Sequence, residues 1–126
     1  MKKILVAEDT ESNFLLLSII LRRDYEILRA FNGAEAVEIC RAEHPDLILE
    51  SCRPDMILMD IKMPVMDGLE ATRRIRLKGG TLPIIALTAN AYDSDREKAY
   101  LAGCNNYMAK PVMAAKLREM IHSYLG

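Results

Sequence analysis

Met56-Ile57-Leu58-Met59 is an unbroken apolar run that ends in a single acid, Asp60. A loop holding Pro64 follows and closes at Asp67-Gly68. Apolar runs of this length between turn signals fit a strand buried on both faces, as in a parallel sheet under two helical layers. An acid at the carboxyl end of such a strand sits where open α/β sheets place their ligands. Asp60 is therefore the first candidate site residue.

The rest of the chain repeats the pattern. Lys2 to Ala7 (KKILVA) is a second short run, ending in Glu8-Asp9. Thr10 and Ser12 are candidate caps for a helix running to about Arg23, apolar at Phe14, Leu17, Ile20 and Leu21. Tyr25 to Phe31 alternates weakly, as a strand does; Asn32-Gly33 reads as a turn, and Ala34 to Arg41 as a helix with Val37 and Cys40 on one side. A third helix opens at Asp67 or Gly68 and runs to about Leu77, where Gly79-Gly80 stops it. Its spacing turns Leu69, Thr72 and Ile75 inward and leaves Arg73, Arg74 and Arg76 to solvent. Pro83 to Leu87 is another buried-type strand, ending at Thr88. Ser94 with Glu97 forms a capping box for a helix closed by Gly103. Asn106 to Ala109 is a short strand before Lys110-Pro111, and the last helix covers about Ala114 to Tyr124. Five strands alternating with five helices predict an α/β fold, a (βα)5 doubly wound parallel sheet of five strands.

One irregularity interrupts the alternation. Pro45-Asp46-Leu47-Ile48-Leu49-Glu50 returns nine residues later as Pro54-Asp55-Met56-Ile57-Leu58-Met59. Taking the first copy as the third strand puts Ser51 where the second puts Asp60, and only the second delivers an acid followed by the Pro64 loop. Residues 45–53 are then a near-repeat insert. Val37, Cys40, His44 and Ile48 keep helical spacing. Pro45 opposes a continuous helix, costing about 3 kcal/mol in its interior, so the expectation is a kinked or broken second helix.

The chain has 126 residues, with no linker composition, and reads as a single domain over 1–126. A net charge of −1 gives no reason to expect nucleic acid or a membrane surface as partner. No apolar run approaches the roughly 18 residues of a membrane span, and the run after Met1 is too short for a signal peptide. Cys40, Cys52 and Cys104 lack metal or redox spacing and read as reduced thiols, which with the rest makes the cytoplasm the expected compartment.

The topology sets Glu8 and Asp9, Asp60, Thr88 and Lys110 at the carboxyl ends of four strands. Taken singly, each is most simply a loop acid, a strand end or a solvated lysine; only their joint placement argues for a site. Carboxylates gathered this way repel. Mg²⁺, which favours one or two carboxylates, waters and a phosphate oxygen, relieves that repulsion. A carboxylate beside a metal, an ammonium and a hydroxyl suits formation of an aspartyl phosphate.

At these residues the sequence resembles the response-regulator receiver domain. VAED at 6–9, MDIKMPVMDG at 59–68, ALTA at 86–89 and YMAKP at 107–111 carry the resemblance, which spans essentially the whole chain. It implies the flavodoxin-like fold with strand order 2-1-3-4-5, an order the family's chemotaxis member exemplifies. It further implies that Asp60 is the phosphoacceptor, fed by a histidine kinase or a His phosphotransfer domain. Mg²⁺ would be held by Asp9, Asp60 and the backbone carbonyl of Lys62, with Glu8 acting mostly through water. Lys110 would pair with the phosphoryl group, Thr88 would swing toward it, and Tyr107 would be the aromatic switch. Pro111 would follow a cis bond. The helix 4–strand 5–helix 5 face would carry the signal, and homodimers in this family often form there. The motif style is most like the receiver of a hybrid histidine kinase, with a free-standing regulator close behind.

Two other classes compete. An Mg²⁺-dependent aspartyl phosphatase normally places a second acid two residues after the nucleophile as general acid, and Lys62 stands there instead. A pseudo-receiver that binds partners without phosphorylation is disfavoured by the intact set of site residues and kept open by the insert.

Overall fold

The computed structural model describes residues 1–40, 54–77, 81–89 and 93–126. In chain order the elements are β1 (Lys3–Ala7), α1 (Glu11–Leu21), β2 (Glu26–Ala30), α2 (Gly33–Ile39), β3 (Met56–Asp60), α3 (Gly68–Leu77), β4 (Ile84–Thr88), α4 (Asp93–Ala102), β5 (Asn106–Ala109) and α5 (Ala114–Leu125). The strands form one sheet in the order β2-β1-β3-β4-β5, and each pairs in parallel with its neighbours.

Alternation within the strands explains the two-sided burial. Ile4, Val6, Met56, Leu58, Ile85 and Leu87 point to one face, where they pack with Leu17, Ile20 and Leu21 of α1 and Leu117 and Ile121 of α5. Leu5, Ile57, Met59, Ile84 and Ala86 point to the other, against Ala36 of α2, Ala71 and Ile75 of α3 and Ala99 of α4. All five residues of β3 and of β4 are buried. Each such aliphatic side chain contributes about 1.5–3 kcal/mol of transfer free energy.

The register of β3 is set at its start. Asp55 N–H donates to the Lys3 carbonyl at 2.7 Å, and Lys3 N–H donates back to Asp55 Oδ2 at 2.7 Å. Met56 therefore lies opposite Ile4 and Met59 opposite Ala7.

Several local expectations change. Asn32-Gly33 is a helix start: Asn32 Oδ1 accepts from Glu35 N–H at 2.9 Å while Glu35 Oε1 accepts from Phe31 N–H at 3.0 Å, a reciprocal cap. Thr10 is the N-cap residue of α1, but its hydroxyl makes no cap bond. Ser94 falls inside the first turn of α4, which opens at Asp93. Helix α2 ends at Ile39; the kinked continuation, the insert at 45–53 and the Gly79-Gly80 stop lie outside the described residues.

Arg76 is the clearest correction. It is half-buried and donates to the carbonyls of Gly103 at 2.9 Å and Leu82 at 2.8 Å, and to Asn105 Oδ1 at 2.7 Å. Burial lowers its pKa from the ordinary arginine value. It ties α3 to the amino ends of β4 and β5, on the edge of the sheet away from Asp60. Among the described residues no helix is long and apolar enough to cross a membrane.

Candidate functional site

Parallel pairing brings the strand ends to one edge: Asp60 lies opposite Leu87, and Thr88 opposite Ala109. Glu8 and Asp9 follow β1 directly, and Lys110 follows β5.

Glu8 is fully buried, Asp60 is 5% exposed and Thr88 6% exposed; Asp9 is exposed. One carboxylate oxygen from each of Glu8, Asp9 and Asp60 lies within 4.8 Å of the others. Lys110 Nζ bridges two of them, at 3.0 Å from Glu8 Oε1 and 3.2 Å from Asp60 Oδ1. Glu8 Oε2 also accepts from Thr10 N–H at 3.2 Å, and Asp60 Oδ1 accepts from Lys62 N–H at 3.3 Å. Burial alone pulls the Lys110 pKa down. The hydrogen bond to Glu8, with the charges of Asp60 and Glu8, outweighs it and leaves the ammonium above its ordinary range. Lys110 is thus charged at neutral pH.

A cleft of about 210 Å³ opens over these groups, lined by Asp60, Lys62, Thr88 and Lys110 with Asp9 and Thr10. It is smaller than the roughly 300–1,000 Å³ of organic-ligand pockets, and suits a solvated ion or a small anion. Three carboxylates against one ammonium leave two negative charges, which a divalent cation balances. The all-oxygen donor set fits Mg²⁺, and among the described residues the cluster includes no soft ligand.

The β3–α3 loop holds Asp60 through backbone contacts. Gly68 N–H donates to the Ile61 carbonyl at 2.9 Å, and a Cβ on Gly68 would overlap the Asp60 carbonyl. Glycine is required there by close approach. Met66 N–H donates to the Pro64 carbonyl at 2.7 Å across Val65, whose φ is 68°. That is a γ-turn in a conformation a β-branched residue rarely adopts. The Lys110–Pro111 bond is cis, and Lys110 N–H donates to the Thr88 carbonyl at 2.8 Å.

Glu8, Asp9, Asp60, Lys62, Thr88 and Lys110 therefore share one cleft or border it. Tyr107 does not: it is partly buried on β5, edge-on to Tyr100 at 6.2 Å, with the Arg96 guanidinium 5.9 Å from its ring. The sequence reading missed Arg29, whose Nη2 donates to the Glu8 carbonyl at 3.3 Å. Its flanking Phe31 and the Phe14 of α1 were the available signal.

The chain matches the family of response regulator receiver domains over residues 4–122. The polar-differentiation response regulator DivK of Brucella anthropi is 38% identical over 128 residues, covering 99% of this chain and 97% of that protein. The receiver domain of sensor histidine kinase PA1611 from Pseudomonas aeruginosa, solved with magnesium coordinated in its active-site cleft, has a TM-score of 0.84 and 37% identity over 98% of this chain and 96% of its own. The receiver of Saccharomyces cerevisiae Ssk1, solved with the phosphotransfer protein Ypd1, has a TM-score of 0.82 and 31% identity over 98% and 88%. The strand order 2-1-3-4-5 agrees with these likenesses: the chain belongs to the response-regulator receiver family.

Proposed function

We propose that this receiver takes a phosphoryl group onto Asp60 from the phosphohistidine of a histidine kinase or phosphotransfer protein. The observation that carries the reading is Lys110 Nζ, set between Glu8 and Asp60 inside a cluster of three carboxylates. Asp60 Oδ attacks phosphorus as the phosphorus–nitrogen bond of the donor breaks, and the departing imidazole keeps the bonding electron pair. Lys110 shifts from Asp60 Oδ1 to a phosphoryl oxygen, and the Thr88 hydroxyl donates to another. Tyr107 turns as Thr88 moves, which alters the α4–β5–α5 face that a partner reads. Asp9, Asp60 and the Lys62 carbonyl would hold Mg²⁺, with Glu8 reaching it through water. The metal supplies charge neutralisation at the phosphoryl oxygens. The reaction belongs in the cytoplasm, where histidine kinases present their phosphodonors.

The test is intact mass after incubation with acetyl phosphate. A gain of one phosphoryl group that needs both Mg²⁺ and Asp60 is expected. Labelling that survives Asp60→Asn refutes the assignment. No gain in either protein would favour a receiver that binds its partners unphosphorylated.

A further inference from the structure

Arg29 is placed as no packing residue of an edge strand needs to be. Its guanidinium lies between two aromatic rings, 4.2 Å from the centroid of Phe14 and 4.0 Å from that of Phe31. The stack fixes the plane of the fork. One prong, Nη2, donates to the Glu8 carbonyl at 3.3 Å; the other, Nη1, pairs with Glu11 Oε2 at 2.6 Å. Nε is buried and finds no acceptor among the described residues. A buried donor left without an acceptor is destabilising, so the fork is directed at the loop rather than at its own hydrogen-bond satisfaction.

Between Glu8 and Glu11 lie only Asp9 and Thr10. Asp9 is the exposed member of the carboxylate cluster, and neither a hydrogen bond nor an ion pair of its side chain holds it in place among the described residues. Its position therefore depends on the turn that carries it. That turn is fixed at one end by Glu8 N–H on the Ala30 carbonyl at 3.0 Å, and across its length by the two prongs of Arg29. We propose that Arg29 is a positioning residue for the metal site: by gripping the β1–α1 turn on both sides of Asp9, it sets the affinity for Mg²⁺. The inference rests on the proposed function. It concerns a residue that would touch neither metal nor phosphoryl group.

The test is calorimetric titration of the metal-free protein with Mg²⁺, for wild type, Arg29→Lys, Glu11→Gln and Arg76→Met. Arg29→Lys keeps the charge but loses the fork and the flat stack. Residues that orient metal ligands typically change affinity by about 10–100-fold when replaced, so about a tenfold rise in Kd is expected for Arg29→Lys and about threefold for the exposed Glu11→Gln. Arg76→Met removes the hydrogen bonds to Gly103, Leu82 and Asn105 at the far edge of the sheet; it should lower Tm and leave Kd unchanged. In phosphorylation by acetyl phosphate, the half-saturating Mg²⁺ concentration should rise in Arg29→Lys with the plateau rate retained. A merely structural role would lower Tm without moving Kd. Kd values within about twofold of wild type in both Arg29→Lys and Glu11→Gln overturn the inference. Wild type that binds no Mg²⁺ overturns the proposed function itself, before any variant is compared.

Discussion

Replacing Lys110 by Met keeps most of the side-chain volume and removes the one ammonium that bridges two buried acids. At 3.0 Å and 3.2 Å, with an effective dielectric of about 20, each attraction is worth about 5 kcal/mol before desolvation. Freeing Lys110 from partial burial returns several kcal/mol of that. The measured cost of orphaning a buried partner is about 3–5 kcal/mol; because the Lys110 side chain is 23% exposed, about 3 kcal/mol is expected. That is a large share of the roughly 5–15 kcal/mol that holds a domain folded. The assay is urea unfolding followed by far-ultraviolet circular dichroism, in EDTA and in Mg²⁺. Mg²⁺ at about ten times the variant's Kd should stabilise the variant by about 1.4 kcal/mol over its value in EDTA, since it binds only the folded cluster. The gap between wild type and variant should also close at alkaline pH. At the alkaline end the sign follows from Lys110 itself, which holds its proton more tightly folded than unfolded. Its contribution is complete below the ordinary lysine value of about 10.4 and is lost as pH climbs through the raised folded value. A deficit below about 1 kcal/mol in EDTA, or a variant that Mg²⁺ does not stabilise at all, would refute this account of the charge balance.

Three further outcomes are expected. Gly68→Ala forces a Cβ against the Asp60 carbonyl and should cost about 2 kcal/mol, or about 8 °C in Tm by calorimetry; an unchanged Tm would mean the loop yields freely. Val65→Gly relieves a positive φ of 68° worth about 1–2 kcal/mol, against about 0.5–1 kcal/mol of glycine entropy, so urea unfolding should show a small net gain. Cys104 is 7% exposed, and burial raises its thiol pKa against the opposing pull of Thr72 and Arg76. A thiol reagent at mildly alkaline pH should therefore reach it only on unfolding, and fast native labelling would contradict the burial.

The parts of this fold that were legible in the sequence are those written in runs and periods. Met56 to Met59 and Ile84 to Leu87 are apolar on both faces because helices cover both, so their continuity alone located β3 and β4. The acids, hydroxyl and lysine were legible because parallel strands must deliver their carboxyl ends to one edge. What escaped depends on three-dimensional reach. Arg76 sits on the flank of α3, where a helical wheel assigns it to solvent, yet its long side chain spans to Leu82, Gly103 and Asn105 in the connections before β4 and β5. Arg29 escaped for the same reason: an arginine on a weakly patterned edge strand gives no periodic signal, and its meaning comes from rings that converge only after folding. Ser94 misled because the capping pair lies inside the first turn of the helix that forms, which opens one residue earlier at Asp93.

The reciprocal hydrogen bonds between Lys3 and Asp55 carry a consequence for how this chain tolerates change. Helix α2 is fixed at its other end, where Gly33 N–H donates to the Met66 carbonyl at 2.9 Å and a Cβ on Gly33 would overlap that carbonyl. The segment carrying the first Pro-Asp-x-Ile-Leu copy joins points that are anchored independently of it. Duplication or loss of a short block there changes the contour of the chain without shifting the phosphoacceptor candidate, because residue 60 is metered from β1 and not from the length of chain that precedes it.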